Sequence, residues 1–435
     1  MRSRDTAQVS ITAFGTPPST PVTPTPSLPD YLISFPGPAG QSTDIETVAY
    51  GSRVIPRYTN EYWTARQRQA ASIQEISYRA CFKPQLPGFF IDLLTAPGDV
   101  VYDPFSGRGT TVIQAGLSAR RVIANDANPL SKILTCPRFF PPSVEEVAER
   151  LETIPSGGAR AEIDLSMFYA LKTEQEIVAL RDYLIERKAT GRDDSIDRWI
   201  AMVATNRLTG HSPGFFSVYT LPPNQAVSQE SQRRINTKRN QVPAYRDTRR
   251  IIIKKTKALL STLTPQERAH LNQAGQTARF FTGDARATPR IPDETVQLTV
   301  TSPPFLDIVQ YRQDNWLRCW FNGLDGEAIS RQITVAHGLR EWESVMGAVF
   351  AELYRITAPG GSVAFEVGEV RNRTIRLEEH VVPLGCAAGF SCDGILINRQ
   401  KFTKTSNIWG VDNMKAGTNT NRIVVFSKDG GTPCQ

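Results

Sequence analysis

Residues 99–128 read DVVYDPFSGRGTTVIQAGLSARRVIANDAN, the pattern of a strand, a glycine-rich turn, a helix and a second strand. The β-branched run Asp99–Asp103 predicts the first strand, and Arg121–Asp126 predicts the second. Apolar residues at helical spacing predict a helix over residues 110–118. Strand, helix and strand in so short a segment form a βαβ unit, which places the two strands parallel in one sheet.

The glycine-rich turn predicts a ligand site. Gly107 and Gly109 let the backbone turn sharply and approach a ligand that a Cβ atom would exclude. Asp126 follows at the predicted end of the next strand, where an acid can accept hydrogen bonds from two ribose hydroxyls. The turn is neither G-x-G-x-x-G nor a phosphate loop with Gly-Lys-Ser/Thr. We therefore predict a nucleoside cofactor site, with a bare turn between core elements as the alternative.

The rest of the chain alternates between α/β and helical patterns. A helix is predicted over Asn60–Arg79 and another after Pro84, and the α/β pattern resumes after residue 278. The predicted fold class is α/β, with a doubly wound, mostly parallel sheet and a helical basic insertion. The predicted divisions are residues 1–45 as a Pro-rich flexible arm, 46–142 as the cofactor half of the α/β domain, 143–278 as the insertion and 279–435 as its catalytic half.

Composition excludes several classes of protein. The 435 residues are 40% hydrophobic, and no run approaches the roughly 18 apolar residues of a membrane helix. The opening residues lack the apolar stretch of a secretory signal. Six cysteines without a C-x-x-C pair and four scattered histidines predict no metal site and fit a reducing cytoplasm. The formal net charge of +7 permits a polyanionic partner without proving one.

Two basic segments of the insertion predict contacts with nucleic acid. Residues 231–257 hold ten Lys or Arg against one acid, Asp247; if helical, they present phosphate-neutralising charge, the alternative being a solvated face. Residues 206–225 mix Arg, His, Asn and aromatics around glycines and prolines, so this loop suits base edges or the gap left by a flipped base. For His211 alone, a local structural role is the stronger alternative. The predicted nucleic-acid contacts are Arg207, His211, Arg233, Arg234, Lys238, Arg239, Arg249, Arg250, Lys254 and Lys255.

The motif DPFSGRGTT resembles the S-adenosylmethionine-binding loop of amino-group DNA methyltransferases. Residues 82–87 (FKPQLP) resemble the element beside the methionine end of that cofactor, and residues 126–129 (DANP) resemble the motif whose acid holds the ribose. Residues 283–285 (GDA) resemble the motif whose acid contacts the adenine amino group. The resemblance implies a Rossmann-like methyltransferase fold and a cofactor site of Lys83, Pro84, Asp103, Pro104, Phe105, Ser106, Gly107, Gly109, Thr110, Thr111, Asp126, Ala127, Asn128, Asp284, Ala285 and Thr301.

The segment TSPPF at residues 301–305 resembles the catalytic motif of the same family. It follows a predicted strand at the carboxyl edge of the sheet, where open α/β folds place ligands. In isolation, Ser-Pro-Pro-Phe is equally an ordinary strand terminator. The resemblance implies that the Ser302 hydroxyl oxygen and the Pro303 carbonyl accept hydrogen bonds from the target amino group, and that Phe305 stacks on the flipped base. The implied catalytic residues are Ser302, Pro303, Pro304 and Phe305.

In this family, Ser-Pro-Pro followed by an aromatic usually marks cytosine-N4 methylation, whereas Asp-Pro-Pro-Tyr more often marks adenine N6. We therefore expect a site-specific methyltransferase of cytosine N4 in duplex DNA that uses S-adenosylmethionine. The resemblance also implies base flipping, a restriction-modification system with a possible cognate restriction endonuclease, and a bacterial or archaeal cytoplasm. The alternatives are adenine N6, an RNA base substrate, or a catalytically silent DNA-binding protein.

Three further features of the sequence concern the predicted site. Glu366 and Glu369 lie at the end of a predicted strand, and we favour simple strand-end acids over a supporting role at the site. Residues 407–409 and 418–422 resemble a late loop and strand of the family, where the loop borders the base pocket. The cofactor half precedes the catalytic half in this chain, whereas most family members with such a loop have the reverse order.

Overall fold

The computed structural model describes residues 27–37, 40–50, 53–63, 70–78, 81–221, 226–304, 311–333, 336, 338–370, 375–399 and 420–429. The strands in these residues are β1 Asp44–Tyr50, β2 Arg53–Asn60, β3 Val100–Asp103, β4 Arg121–Asp126, β5 Arg279–Thr282, β6 Val296–Thr301, β7 Thr357–Val367, β8 Glu369–Val370, β9 Ile375–Arg376, β10 Ser391–Arg399 and β11 Thr420–Ser427.

The helices alternate with the strands and also fill the insertion. They are α1 Leu28–Ser34, α2 Gln85–Leu94, α3 Thr110–Leu117, α4 Pro129–Thr135, α5 Val144–Thr153, α6 Leu171–Ala189, α7 Ser195–Arg207, α8 Gln229–Arg239, α9 Thr248–Leu260, α10 Pro265–Thr277, α11 Tyr311–Phe321, α12 Gly326–Gln332, α13 Leu339–Ile356 and α14 Leu377–Ala387.

Nine strands form one mixed sheet in the order β1-β2-β10-β11-β7-β6-β3-β4-β5. From β7 to β5 all neighbours are parallel, as the βαβ pattern predicts. Strand β11 lies antiparallel between β7 and β10, and β10 pairs in parallel with β2 of the β1–β2 hairpin. The predicted mostly parallel α/β sheet is confirmed, and the hairpin is an addition that the sequence patterns did not predict.

Alternate side chains of the strands pack on opposite faces of the sheet. Val101 and Leu298 point to one face, where they join an apolar cluster with helices such as α2 and α3. Tyr102 and Val363 point to the other face and pack with α13 and α14. Two covered faces explain why the central strands are apolar throughout, and they confirm the doubly wound arrangement.

The predicted helix over Asn60–Arg79 is wrong. Asn60 ends strand β2, and residues 70–78 contain only a 3-10 turn at Ser72–Gln74. Backbone carbonyls of this segment accept hydrogen bonds from distant side chains, for example that of Ile76 from Arg108 at 2.7 Å. Because these tertiary contacts satisfy the polar backbone, a helical ladder is not needed here. Residues 64–69, 79 and 80 lie outside the described residues.

The described end of the predicted arm contains helix α1. Ser27 accepts a hydrogen bond from the Asp30 amide and so caps the helix, and Leu32 is buried. The Thr43 hydroxyl donates to the Leu32 carbonyl at 2.6 Å, which ties the helix to the start of the sheet. Residues 1–26 of the predicted arm lie outside the described residues.

The insertion is helical and packs its core against one face of the sheet. Trp199 of α7 and Phe168 belong to the same apolar cluster as Val101 of β3. The basic segment 231–257 is two helices rather than one. Helix α8 ends at Asn240, whose φ of 46° is left-handed, and Pro243 follows before α9 begins.

A substitution at Gly109 tests how tightly the glycine loop is packed. Its φ is +77°, and a Cβ atom there would lie 2.3 Å from Thr135 Cγ2. Gly98 is a matched control, because its φ is +92° but a Cβ atom would meet nothing within 4 Å. We expect Gly98→Ala to cost about 1–2 kcal/mol from backbone strain and Gly109→Ala about 1–3 kcal/mol more from overpacking. Thermal unfolding of both variants measures the difference, and equal shifts would contradict the packing argument.

Candidate cofactor and catalytic site

The carboxyl ends of β3, β4, β5 and β6 meet at one edge of the sheet. The Thr301 hydroxyl, at the end of β6, donates to Asp103 Oδ1 at the end of β3 over 2.7 Å. The Gly283 amide, after β5, donates to the Asp126 carbonyl at the end of β4 over 3.1 Å. The predicted cofactor loop, the ribose-binding acid and the catalytic segment therefore begin side by side.

The glycine loop places the Asp126 carboxylate. The Gly107 amide donates to Asp126 Oδ2 at 2.7 Å, and the Asn128 amide donates to Oδ1 at 2.8 Å. Gly107 has a φ of +51°, a left-handed conformation that favours glycine. The Asn128 side chain in turn accepts the Leu130 amide and caps helix α4. The carboxylate that the sequence predicts as a ribose ligand is thus fixed by two backbone donors.

The upstream element packs beside the loop through Arg108. Its guanidinium donates to the Ile76 carbonyl at 2.7 Å and to the Phe82 carbonyl at 3.3 Å. Pro84 precedes helix α2, and the Lys83 carbonyl accepts the Leu86 amide at 3.1 Å. The loop residue between the two glycines therefore anchors the segment that carries the predicted methionine-end residues.

Several further loop residues make internal hydrogen bonds. The Phe105 amide donates to Asp103 Oδ1 at 3.1 Å, and the Ser106 amide donates to the Asn125 carbonyl at 3.0 Å. The Asn125 side chain donates to the Pro104 carbonyl at 3.3 Å. Two more loop contacts are Thr110 Oγ1 accepting Arg108 Nε at 3.0 Å and the Thr111 hydroxyl donating to the Val300 carbonyl at 3.0 Å.

The third predicted motif is less enclosed than the loop. Asp284 is exposed and forms an ion pair with Arg286, which lowers the pKa of the carboxyl. Ala285 is buried, and Ala127, which follows the predicted ribose ligand Asp126, is half-buried. The structure therefore brings Asp284 to the same edge, with its carboxylate already paired to a neighbouring cation.

Two carboxyl groups at this edge have strongly raised pKa values. Burial raises the pKa of Asp103 to about 7, against hydrogen bonds from Thr301, Phe105 and Thr111 that lower it. Burial raises the pKa of Asp126 to about 6. An ionised carboxylate in such surroundings favours a cationic ligand, because a nearby positive charge offsets the cost of burying the negative one.

The catalytic candidate Ser302 is hydrogen-bonded to Glu366, which lies near the end of the neighbouring strand β7. The Asn421 side chain of β11 donates to Glu366 Oε1 at 2.5 Å. Burial raises the pKa of Glu366 to about 7. The preferred interpretation of Glu366 as a simple strand-end acid is therefore replaced by a direct contact with Ser302. Only the position of Glu366 at a carboxyl strand end signalled this contact in the sequence.

The two prolines after Ser302 fix the turn that leaves β6. Pro303 is buried, whereas Pro304 is exposed. The indole of Trp342 donates to the Pro304 carbonyl at 3.1 Å, a contact that sequence patterns did not suggest. Phe305, the predicted stacking residue, lies outside the described residues, as do residues 407–409 and 418–419.

The predicted nucleic-acid residues fall into two groups. Members of the first group lie on α8 and α9, and all are exposed except Arg249, which is half-buried. Within the described residues, Lys238, Arg250 and Lys254 have no ion pair. The paired members are Arg233 with Asp164 at 2.7 Å, Arg234 with Glu230, Arg249 with Glu152 at 3.5 Å, and Arg239 over the Tyr219 ring at 3.8 Å.

Two members of the second group, Lys255 and Arg207, are half-buried. Lys255 donates to the Glu75 carbonyl at 2.7 Å, and burial lowers the pKa of its amine to about 8. Arg207 stacks 4.0 Å from the Phe215 ring, and burial lowers the pKa of its guanidinium to about 10. His211 is exposed in the loop between α7 and α8. The ten residues thus do not form one continuous helical face.

The described part of the chain contains no cluster of three His, Cys, Asp or Glu residues that suits a metal ion. Among the described helices, none is long and apolar enough to cross a membrane.

The fold and the site define a doubly wound α/β protein with a glycine-rich loop at the carboxyl edge of its sheet. Residues 44–131 match the family model described as DNA methylase, of the N6/N4 type. This match spans strand β1 to the start of α4 and includes the glycine loop and Asp126. It confirms the predicted resemblance to amino-group DNA methyltransferases. A search of curated proteins finds no match to the chain.

Solved structures give weaker likenesses. One is a protein of Thermus thermophilus whose description as a DNA modification methylase is itself provisional; it is 22% identical over 35% of this chain and 55% of that one, with a TM-score of 0.20. The others are a TehB-like S-adenosylmethionine-dependent methyltransferase of Corynebacterium glutamicum (9% identity, 79% and 87% coverage, TM-score 0.28) and a geranyl diphosphate C-methyltransferase of Streptomyces coelicolor (8%, 80% and 77%, 0.33). At these TM-scores the likenesses say nothing about activity.

Asp103 makes the folded state sensitive to pH. Its folded-state pKa of about 7 lies above the ordinary value of about 3.9, so its contribution to stability is fully present below pH 4 and is lost as the pH rises to 7. Asp103→Asn keeps an oxygen for Phe105 and Thr301 but cannot ionise. We expect its free energy of unfolding, measured by thermal unfolding, to rise relative to that of wild type between pH 5 and pH 8, by on the order of 1 kcal/mol or more.

Asp284→Asn is the matched control for this measurement. The exposed carboxyl of Asp284 has a lowered pKa, so its replacement should slightly lower the stability of the protein at pH 8 and should not raise it. If Asp103→Asn shows the same difference from wild type at pH 5 and pH 8, the argument from a buried carboxylate is wrong.

Proposed function

We propose that this protein is an S-adenosylmethionine-dependent DNA methyltransferase that modifies an exocyclic amino group, with cytosine N4 as the target. The observation that carries the proposal is the contact of Ser302 with Glu366 beside the bond from Thr301 to Asp103. Together these two contacts place a candidate amine-binding group, Ser302, beside a candidate cofactor loop at one edge of the sheet. The family match over residues 44–131 supports the same chemistry.

The residues of the loop fit the proposed cofactor. The Gly107 amide holds the Asp126 carboxylate, whose oxygens suit the hydroxyls of a ribose. Asp103 and Asp126 supply negative charge that suits the sulfonium and amino groups of S-adenosylmethionine. A structure of the Thermus thermophilus protein contains this cofactor. When bound, the cofactor supplies an activated methyl group on a positively charged sulfur.

The chain's own residues then position the target amine. The lone pair of an exocyclic amine is delocalised into the base, so the amine is a poor nucleophile until its N–H groups are held. With the Ser302 hydroxyl donating to Glu366, its oxygen lone pairs face outward and can accept one amine hydrogen. The Pro303 carbonyl accepts the other. As the new N–C bond forms, an amine proton passes to Ser302 Oγ and the serine proton passes to the Glu366 carboxylate.

The insertion is the proposed DNA interface. Exposed cations on α8 and α9 neutralise backbone phosphates, and the loop that carries His211 approaches the bases. The target base leaves the helix to reach Ser302, where Phe305 stacks on it. The proposal includes a restriction-modification role with a cognate restriction endonuclease and a cytoplasmic location.

Product analysis tests the function. The purified protein is incubated with duplex DNA and labelled S-adenosylmethionine, and the digested DNA is searched for the modified nucleoside. N4-methylcytosine is the expected product. N6-methyladenine would retain the amine chemistry and overturn the choice of base. Label in RNA but not in DNA would overturn DNA as the substrate. Absence of label from both nucleic acids would overturn it as well.

The Ser302–Glu366 contact predicts the behaviour of two variants. Ser302→Ala and Glu366→Gln should each lower kcat on the order of 10²-fold and leave cofactor affinity nearly unchanged. Because both act through one proton path, the double variant should lose little more than either single variant. At saturating cofactor, wild-type kcat should rise with pH through about 7, as Glu366 ionises, and Glu366→Gln should lose this rise. Additive losses or an unchanged single-turnover rate in Ser302→Ala would refute the role.

Charge reversal tests the DNA interface. The variant with Arg233, Arg234, Lys238 and Arg239 changed to Glu should bind duplex DNA more weakly. Its slope of log affinity against log salt should shrink by about 0.9 for each phosphate that α8 no longer neutralises. Reversal of Lys188 and Arg192, two exposed cations at the end of α6 and just after it, is the control. An unaltered slope in the first variant, or an equal fall in the control, would show that α8 is not the interface.

A further inference from the structure

A short strap, residues 72–78, runs between the insertion and the glycine loop. It begins with the 3-10 turn Ser72–Gln74 and ends at Tyr78. The Ser72 hydroxyl donates to the Leu259 carbonyl at 2.8 Å, and the Ser72 amide donates to the Thr262 hydroxyl at 2.8 Å. One end of the strap is therefore fixed to the end of the basic helix α9.

Side chains from separate elements hold the strap in place. Four of its carbonyl oxygens accept hydrogen bonds from side chains of the glycine loop, the insertion and the turn after α4. These bonds run from Arg138 to Ile73 at 3.3 Å, Lys255 to Glu75 at 2.7 Å, Arg108 to Ile76 at 2.7 Å and Asn206 to Ser77 at 2.9 Å. Such a segment presents its last side chain in one fixed position.

Tyr78 lies across the Asp126 carboxylate. A Cβ atom on Gly107 would be 3.4 Å from Tyr78 Cε1, so this edge of the ring lies against the backbone of that glycine. Beside the same edge, the Tyr78 hydroxyl accepts the Asn128 side-chain amide at 2.9 Å. Gly107 and Asn128 are the two residues whose backbone amides bind Asp126. The phenol thus spans the two residues that fix the proposed ribose ligand.

The phenol keeps its proton in this position. Burial and the nearby Asp126 carboxylate raise the pKa of Tyr78. The hydroxyl oxygen already accepts from Asn128, which leaves its hydrogen to donate to a ligand. A nucleoside held by Asp126 meets this hydroxyl beside its ribose, and the aromatic ring covers the ribose from solvent.

We propose that Tyr78 is a further cofactor-binding residue, which forms the outer wall of the nucleoside site and donates a hydrogen bond to the ribose held by Asp126. The inference rests on the proposed function, since it takes an adenosyl cofactor as the ligand. It adds to the loop a residue from outside DPFSGRGTT and residues 82–87, presented by a strap that the insertion holds.

Isothermal titration with two ligands tests the inference. S-adenosylmethionine and 5′-methylthioadenosine share the nucleoside, and only the former carries the amino acid end. We expect Tyr78→Phe to lower the affinity for both ligands about fivefold, which is the effect of one hydrogen bond. Tyr78→Ala should lower the affinity for both by more than about tenfold. Tyr245→Phe is the control, because its hydroxyl instead donates to Glu176 in the insertion, at 2.8 Å. This variant should bind as wild type does.

The outcomes separate this inference from the proposed function. If the wild-type protein binds both ligands and both Tyr78 variants bind them with the same dissociation constants, only the role of Tyr78 is overturned. If the variants bind S-adenosylmethionine more weakly but bind 5′-methylthioadenosine with unchanged affinity, Tyr78 contacts the amino acid end of the cofactor and the ribose contact is overturned. Failure of folded wild-type protein to bind either ligand would overturn the proposed cofactor itself. If Tyr78→Ala does not fold, Tyr78→Phe decides the question.

Discussion

The hydrogen bond from Thr301 to Asp103 joins the two halves of the site across 198 residues of chain. Parallel strands bring their carboxyl ends to one edge, and this bond fixes the loop of β3 against the turn of β6. Its acceptor is a buried carboxyl whose pKa burial raises to about 7, so the ionised carboxylate lowers stability even though the hydrogen bond from Thr301 partly offsets the cost of its burial. Such cost is typical of ligand sites, where a group is kept for the ligand rather than for the fold.

Local sequence patterns predicted the central α/β unit well. The ranges predicted for β3, β4 and the helix between them lie within a residue or two of the observed bounds, because alternation, glycines and apolar runs act locally there. The helix over residues 60–79 failed because its backbone is satisfied by arginine, lysine and asparagine side chains from distant elements. The contact of Glu366 with Ser302 and the placement of Tyr78 beside Asn128 were not predicted, for a related reason: only tertiary contacts bring these residues together.

The insertion combines two roles that its composition did not separate. The net charge of residues 231–257 suggested one basic face, yet Asn240 and Pro243 divide it into two helices. Exposed cations such as Lys238 are directed to solvent, whereas Lys255 points inward and binds the carbonyl of Glu75. Charge density along a sequence therefore gives the sign of a surface, while burial decides which cations support the structure.

The position of β11 has a consequence for biosynthesis. This strand, near the end of the described chain, lies between β7 and β10 in the middle of the sheet. Until residue 427 leaves the ribosome, β7 and β10 each expose an unpaired edge, and nascent chains with open edges are prone to associate with one another. The sheet of the described residues is therefore completed only when β11 is available, and the open edges of β7 and β10 persist until then.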